Sequence, residues 1–355
     1  MEFGPSKVQA LLRQSAVELL EQRASVERVR EVMETADAVD LELRAALGEQ
    51  GLFGLLIDEQ HGGAGLGLFE AVLVAQEVGR FAAPIDYVAS AVEAPLVLEA
   101  AASAQQAVQK LRVLASGEVL YALIPAEAFI EVAGEALRGT ATFQPGVVQA
   151  DRLLVCAGQR VFDVPKDAPG VSVEPLHTID ETRRWADVRF DEVPLDALEE
   201  LENGIDEETA QRVRQAAWLA TAADSLGACY RGVEIAVEYA KGREQFGRVI
   251  GSFQGVKHMC AEMIAEVDPL QSLVRYAAYA WDERLDDSAA VAALAKAHAA
   301  EVGYDCVTKA TQVFGGIGFT WDRDMQLYFK RVQVDRQAYG RPEEIRATAA
   351  MMQGL

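Results

Sequence analysis

The sequence contains 355 residues, half of them hydrophobic, and its formal net charge at pH 7 is −22. A chain of this length can bury a large apolar core in two or three domains. Its acidity argues against nucleic-acid binding, because the chain would repel a polyphosphate backbone. No apolar run reaches the roughly 18 residues of a membrane span, and the first residues lack the layout of a signal peptide. The four cysteines have no CxxC spacing, which favours a reducing compartment over a metal site, so we predict a cytoplasmic protein.

Helical patterns dominate residues 1–115. Apolar residues recur at helical spacing over 41–52, and an alanine-rich stretch over 91–114 also has helical character. A glycine-rich loop, Gly62-Gly-Ala-Gly-Leu-Gly67, lies between them, but position 68 is leucine and the GxGxxG spacing of a dinucleotide-binding turn is not met. We interpret this loop as a turn whose glycines adopt positive φ angles.

A small β domain is predicted for residues 116–200 and a second helical domain for residues 201–355. The β domain is indicated by short β-branched or alternating runs between turn residues, at 119–124, 153–156, 171–173 and 186–190. From Val213 to Val237, apolar residues recur at i, i+3, i+4 and i+7, which is typical of one long buried helical face. The sequence therefore predicts three consecutive domains: helical, β and helical.

Two short segments of the last domain contain residue types suited to a phosphate-bearing ligand. The first is Tyr239-Ala-Lys-Gly-Arg-Glu-Gln-Phe-Gly247 at the end of the long helical face. Its Arg243 can grip a diphosphate through two oxygens at once. Phe246 can pack against a heterocycle, and Gln254 can hydrogen-bond one. By residue type alone, a helix-capping arginine, a core phenylalanine and a surface glutamine are the alternative interpretation.

The second segment, Gln312-Val-Phe-Gly-Gly-Ile-Gly-Phe319, combines a side-chain amide with bare backbone. Gly315 and Gly316 let main-chain N–H groups approach a pyrophosphate without interference from a Cβ atom. A helix C-cap with a tight turn explains the same glycines without a ligand. The two interpretations are compatible.

Together, the two segments resemble the paired motifs of the acyl-CoA dehydrogenase family of flavoenzymes, and the resemblance extends over most of the chain. It implies an α+β fold with an N-terminal helical domain, a small middle β domain and a C-terminal helical bundle. It also implies the family's reaction, in which a carboxylate removes a proton beside a thioester carbonyl while a hydride passes to the flavin. The implied cofactor is FAD, held by its ADP half across a dimer interface, with contacts from Arg243, Phe246, Gln254, Gln312, Gly315 and Gly316.

The position that the resemblance assigns to the catalytic base is not acidic. Counting from Gly315, the family's glutamate falls on Tyr339, and an alternative position on the long helix falls near Ala217. A phenol with a pKa of about 10 is a poor base at neutral pH. The family's flavin-covering strand, roughly TEPxaGSD, is also missing or replaced by Tyr121-Ala-Leu-Ile-Pro-Ala-Glu-Ala-Phe129. We therefore assign no catalytic residue and note the acids near the expected site: Asp322, Asp324, Glu343 and Glu344.

These departures predict a subunit of a heteromeric acyl-CoA dehydrogenase, in which a homologous partner chain supplies the glutamate and the flavin-ring contacts. The segment 318–331 resembles heterotetrameric members that degrade steroid side chains in actinobacteria. We therefore predict a bulky acyl-CoA substrate and an electron-transfer flavoprotein as acceptor. Two alternatives stay open: a homo-oligomeric dehydrogenase with Glu343 or Glu344 as its base, and a scaffold protein of the same fold that has lost the flavin.

Overall fold

The computed structural model describes residues 4–354, which form two compact units. One contains the described part of Met1–Val29 together with Val72–Ala83 and Trp218–Leu355, and the other contains Arg30–Ala71 and Pro84–Ala217. The α+β class predicted from the sequence is confirmed. The domain boundaries predicted at 1–115, 116–200 and 201–355 stay a prediction.

The α-helices of the described residues are α1 (Lys7–Arg23), α2 (Val26–Met33), α3 (Leu41–Glu49), α4 (Leu68–Arg80), α5 (Ala94–Ala101), α6 (Ala104–Ala115), α7 (Glu207–Gly242), α8 (Gln254–Asp282), α9 (Ser288–Phe314), α10 (Met325–Gln337) and α11 (Pro342–Met352). The strands are β1 (Tyr121–Ile124), β2 (Glu131–Ala133), β3 (Ala136–Gln144), β4 (Arg152–Ala157), β5 (Arg160–Pro165), β6 (Val171–Leu176), β7 (Trp185–Pro194), β8 (Glu199–Leu201), β9 (Glu244–Gln245) and β10 (Arg248–Val249).

The unit that contains Pro84–Ala217 is built on two four-stranded sheets. In one, the order is β1-β4-β5-β8, with β1 parallel to β4 and the other neighbours antiparallel. In the other, the order is β2-β3-β7-β6 and every pair is antiparallel. Buried side chains from both sheets form one apolar core, which includes Leu137, Val155, Phe162, Val188 and Phe190. The strands predicted at 119–124, 153–156, 171–173 and 186–190 are confirmed as β1, β4, β6 and β7.

The alanine-rich stretch 91–114 is not one continuous helix. A π-helical turn, Ala89–Glu93, leads into α5, and Ala102 then adopts extended backbone angles. Ser103 restarts the helix through a capping box with Gln106, whose side chain accepts the Ser103 N–H at 3.0 Å. A capping box satisfies N–H groups that have no partner inside a helix, so the polar pair inside the apolar stretch divides it into α5 and α6.

The glycine-rich loop before α4 forms the turn that the sequence predicts. Gly62 and Gly65 have φ angles of 85° and 59°, in the left-handed region that favours glycine. The Asp58 carboxylate accepts the Gln60 N–H at 2.9 Å and closes the turn locally. The loop is thus explained by backbone geometry.

In the other unit, α4 and α7 pack backbone against backbone. A Cβ atom on Gly79 would lie 1.9 Å from the main-chain oxygen of Asp224, and one on Gly227 would lie 1.7 Å from that of Gln76. No side chain fits at either position, because the obstructing atoms are backbone atoms that cannot rotate away. Two glycines therefore fix how closely these helices approach.

Replacing Gly227 by alanine should destabilise the fold by about 2–3 kcal/mol, because the added methyl group forces α7 away from α4. Gly232→Ala is the matched control on the same helix, since its Cβ would meet only side-chain atoms, the nearest being the terminal methyl of Met325 at 3.2 Å. The control should be neutral or slightly stabilising, because alanine is the better helix former. Urea unfolding of both variants tests this, and equal midpoints would contradict the close-packing argument.

Candidate functional site

The two motif segments meet at one end of the helical bundle. Tyr239 near the end of α7 stacks on Phe314, the last residue of α9, with ring centroids 4.3 Å apart and an interplanar angle of 20°. The guanidinium of Arg323 lies over the Tyr239 ring, 5.9 Å from its centroid. The stack brings Arg243, which follows α7, and the Gly315 turn, which follows α9, to the same end of the bundle.

Arg243 leads from α7 into a tight hairpin formed by β9 and β10. The Ile250 N–H donates to the Arg243 carbonyl at 2.7 Å and closes the hairpin. The Arg243 side chain is exposed and makes no hydrogen bond or ion pair with other residues of the described range 4–354. Phe246 lies at the hairpin tip with a φ angle of 53° and 92% of its surface exposed. A positive φ angle is uncommon for phenylalanine. A large aromatic side chain this exposed to solvent is also unusual in a chain that binds no partner.

The hairpin continues into Gln254, the first residue of α8. Phe253 packs edge-to-face on Phe246, with ring centroids 6.2 Å apart, and the Arg248 guanidinium lies 4.0 Å from the Phe253 ring centroid. The Gln254 side chain is exposed beside this group. Aromatic rings and guanidinium groups thus lie together in a chain that is acidic overall.

Gln312, Gly315 and Gly316 form the second part of this end of the bundle. The Gln312 side chain is exposed, and its carbonyl accepts the Gly315 N–H that caps α9. Gly315 has a φ angle of 67°, and a Cβ atom on Gly315 or Gly316 would meet nothing within 4 Å. The backbone is therefore open to a ligand, as a pyrophosphate contact requires. A helix C-cap is present as well, so the geometry is compatible with both interpretations of these glycines.

Tyr339, the position assigned to the base, lies in a different environment. Its side chain packs against the apolar cluster of Trp218, Ala293, Ala297, Ile345 and Ala349, which joins α7, α9 and α11. The indole N–H of Trp218 donates to the Tyr339 main-chain oxygen at 2.9 Å. Tyr339 also has a positive φ angle of 60°.

Most of the acidic residues considered as alternative catalytic bases are exposed to solvent. Glu343 and Glu344 are exposed in the first turn of α11, where negative charge favours the helix N-terminus. Asp322 is exposed as well, Asp324 is partly buried, and Ala217 is fully buried. A base that takes a carbon-bound proton works best in a dry pocket, which the three exposed acids do not have.

A group of buried charged residues crosses the helical bundle next to the apolar cluster of Trp218 and Ile345. The sequence analysis did not predict this group. Arg331 is fully buried and donates from Nε and Nη2 to the two carboxylate oxygens of Asp224, both at 2.7 Å. The Ser225 hydroxyl donates to Asp335 at 3.1 Å, and the Lys296 ammonium donates to the Asp335 main-chain oxygen at 2.8 Å. One signal was available: Asp224 interrupts the otherwise apolar face of α7, and a lone acid on such a face calls for a buried cation.

Burial lowers the pKa of Lys296 to about 8, although Asp335 acts in the opposite direction. The unfolded chain keeps the ordinary lysine pKa of about 10.5, so it binds more protons than the folded chain between those two pH values. A rise in pH through this window therefore favours the folded protein. Burial of the charged Lys296 ammonium destabilises the folded protein fully below pH 8, and this destabilisation decreases as the pH rises above 8.

Lys296→Met removes this titration. As the pH rises from 8 to 10.5, the free energy of unfolding of the unmodified protein should increase relative to that of the variant by up to about 3 kcal/mol. Taking the difference cancels the titration of the other groups. Urea unfolding at half-unit pH steps measures it, and a difference independent of pH would contradict a buried, titrating Lys296.

Among residues 4–354, every helix is too short or too polar to cross a membrane.

Comparison with known proteins identifies similar chains along nearly the whole sequence. Residues 6–118 match the family profile described as "Acyl-CoA dehydrogenase, N-terminal domain", and residues 212–353 match "Acyl-CoA dehydrogenase, C-terminal domain". The acyl-CoA dehydrogenase IpdE2 of Mycolicibacterium smegmatis is 33% identical over 344 residues, which cover 96% of each chain.

Two solved structures contain chains similar to this one. The ChsE4–ChsE5 complex from Mycobacterium tuberculosis contains a chain that is 26% identical, with a TM-score of 0.89 and coverage of 100% of this chain and 99% of that one. A variant of the Tcur3481–Tcur3483 steroid ACAD is 27% identical, with a TM-score of 0.87 and coverage of 98% of both chains.

Proposed function

The chain belongs to the acyl-CoA dehydrogenase family, and from this premise we propose that it is a subunit of a heteromeric enzyme that shares FAD with a homologous partner chain. Members of the family are FAD-binding flavoproteins, so the family, the enzyme class and the cofactor predicted from the sequence are confirmed. We further propose that this chain supplies groups that bind FAD while the partner chain supplies the catalytic base.

One contrast carries this proposal. At one end of the bundle, the side chains of Arg243 and Gln312 are exposed and make no hydrogen bond or ion pair with other described residues. At the position where the family keeps its base, Tyr339 is partly buried and packs against an apolar cluster. A chain with an open cofactor-binding end and no acid at the base position fits a subunit that contributes binding groups while its partner contributes the base.

The open end suits the ADP half of FAD. Arg243 would hold the diphosphate through its guanidinium fork, and Gly315 and Gly316 would let the backbone approach it. Phe246 would pack on an aromatic ring of the cofactor, and Gln254 and Gln312 would donate hydrogen bonds. When bound, FAD supplies the acceptor for the hydride.

Exposed aromatic residues at the same end favour a partner chain. Phe319 and Trp321, which follow the glycine turn, expose 66% and 51% of their surfaces, and Phe246 is more exposed still. Exposed aromatic side chains in a group mark interaction surfaces. The names ChsE4–ChsE5 and Tcur3481–Tcur3483 each join two components, which supports a heteromeric assembly.

The substrate we propose is a bulky acyl-CoA, such as the acyl thioester of a steroid side chain, which undergoes 2,3-desaturation. The name "steroid ACAD" of one neighbour supports this class. An electron-transfer flavoprotein is the proposed acceptor of the electrons that leave the flavin.

Co-expression with a homologous partner chain, followed by flavin analysis and an acyl-CoA assay, tests the proposal. We expect about one FAD per two chains, turnover by the mixture and negligible turnover by this chain alone. One FAD per chain together with full activity of this chain alone would overturn the proposal. That outcome would favour Glu343 or Glu344 as the base, and replacing each by glutamine would then locate it.

A further inference from the structure

We propose that Arg323 is a second cation of the cofactor site, which binds the FAD diphosphate together with Arg243 and is held in place by the ring of Tyr239. The inference rests on the proposed function, because it takes the ADP half of FAD as the ligand at this end of the bundle. It goes further in two respects. Arg323 lies outside both motif segments, and Tyr239 receives a role as the residue that positions it.

Arg323 is an exposed arginine whose guanidinium has no counterion in this chain. It lies between Asp322 and Asp324 in the sequence, yet it forms an ion pair with neither acid, and its side chain makes no hydrogen bond within residues 4–354. Its guanidinium lies instead over the Tyr239 ring, 5.9 Å from the centroid, within the range of a cation–π contact. An arginine that leaves two neighbouring acids unpaired is free to bind an external anion.

The Tyr239 ring brings this guanidinium close to both motif segments. Phe314 stacks on the ring with centroids 4.3 Å apart, and the Gly315 turn follows Phe314 directly. The Tyr239 carbonyl accepts the Arg243 N–H at 2.9 Å. Residues four positions apart in this hydrogen-bonding pattern lie on the same side of a helix. Arg243, the Gly315 turn and Arg323 therefore converge around one ring.

An aromatic ring suits the task of holding a cation that must stay available. The Tyr239 hydroxyl makes no hydrogen bond with other described residues, and the side chain is partly buried. A cation–π contact uses the face of the ring and leaves the guanidinium N–H groups able to donate to an anion. A carboxylate in the place of the ring would neutralise the charge. Tyr239 thus positions Arg323 without cancelling its charge.

The charge of the ligand matches two cations. Each phosphate of the FAD diphosphate carries one negative charge, and Arg243 supplies one positive charge. The net charge of the chain is −22, so its overall field opposes the binding of an anion. Lys241 is also near, but it pairs with Glu238 at 2.8 Å. Arg323 supplies the second free positive charge, and its guanidinium fork suits phosphate oxygens as that of Arg243 does.

Titration of the assembled apo-enzyme with FAD tests the inference. Arg323→Met should weaken FAD binding about 10- to 100-fold, as expected when hydrogen bonds to a charged group are lost. Arg284→Met is the matched control. Arg284 is likewise exposed, follows an acid and has no side-chain partner within residues 4–354, but it lies beyond the opposite end of α8 from Gln254. The control should bind FAD within about twofold of the unmodified enzyme. Equal affinities of Arg323→Met and Arg284→Met would overturn the inference.

Arg323→Lys separates a direct contact from a general effect of charge. Lysine keeps the positive charge but loses the planar fork, so a direct contact predicts FAD binding weakened at least about threefold. If Arg323→Lys binds FAD as tightly as the unmodified enzyme, only the charge matters and the proposed contact is wrong.

The role of Tyr239 is tested by a double-mutant cycle. Tyr239→Phe keeps the ring, so it should bind FAD within about twofold of the unmodified enzyme. Tyr239→Leu removes the ring and should weaken FAD binding. The factor should be at least about threefold smaller in the Arg323→Met background, because the ring then has no guanidinium to position. Equal factors in both backgrounds would show that Tyr239 acts on the fold alone and does not position Arg323.

The inference and the proposed function fail in different experiments. If Arg243→Ala weakens FAD binding and Arg323→Met does not, the shared FAD site stands and the inference is wrong. If neither variant weakens FAD binding, this end of the bundle does not hold the ADP half and both proposals are wrong. Full activity of this chain without a partner would refute the heteromeric assembly but leave Arg323 at the diphosphate. Because Arg323 is exposed, Arg323→Met should fold normally, and its urea midpoint checks this.

Discussion

Replacing Arg243 by alanine should weaken FAD binding by the assembled enzyme roughly 100- to 1,000-fold, because the variant would lose the two charge-assisted hydrogen bonds that we propose Arg243 makes to the diphosphate. The side chain has no other partner within residues 4–354, so its removal should leave the fold of the subunit unchanged. Flavin retained after gel filtration, together with titration of the apo-complex with FAD, measures the effect.

Two control variants sharpen this prediction. Lys241→Ala removes a neighbouring exposed cation that pairs with Glu238 at 2.8 Å, and it should leave FAD affinity within about twofold, as expected for an exposed surface pair. Arg243→Lys keeps the charge but loses the planar fork, so its affinity should fall between those of the unmodified protein and Arg243→Ala. Equal FAD retention by Arg243→Ala and Lys241→Ala would show that Arg243 does not bind the cofactor.

The sequence predicts the strands and the long helix α7 well because their patterns are local. The continuous apolar run at 153–156 reflects a strand that is buried on both faces, and the alternation at 186–190 reflects which side faces the sheet core. Helical periodicity from Val213 to Val237 reflects one buried face. The break between α5 and α6 within residues 91–114 was not predicted. A single capping box, Ser103 with Gln106, starts a new helix there although the whole stretch is rich in alanine. Local signals thus predict the type of an element better than its ends.

Contacts between distant residues escape this kind of reasoning. Trp218 and Tyr339 are 121 residues apart, and their bond joins an indole to a backbone carbonyl, so no residue type at position 339 signals it. Arg243 presents the opposite case. Its proposed partner lies on another molecule, so only the spacing of the surrounding motif indicates its role, while the isolated chain leaves it in water.

The ion pair between Asp224 and Arg331 joins α7 to α10 at the centre of the bundle. Both groups are buried, their two hydrogen bonds are each 2.7 Å long, and Arg331 Nη1 also donates to the Ala83 carbonyl at 3.0 Å. Removing two charges from water is costly, so such a pair adds little net stability when it is complete. Breaking it is different, because the remaining charge stays buried without its counterion.

Arg331→Met should therefore lower the free energy of unfolding by roughly 3–5 kcal/mol, whereas Asp224→Leu/Arg331→Met should cost far less than the sum of the two single variants, because no charge is left alone. Arg346→Met is the matched control. Arg346 pairs with Glu301 at the surface, where both side chains are half exposed, and its loss should cost at most about 1 kcal/mol. Urea unfolding of the four variants measures these values. Single variants whose effects simply add in the double variant would contradict a coupled, buried ion pair between Asp224 and Arg331.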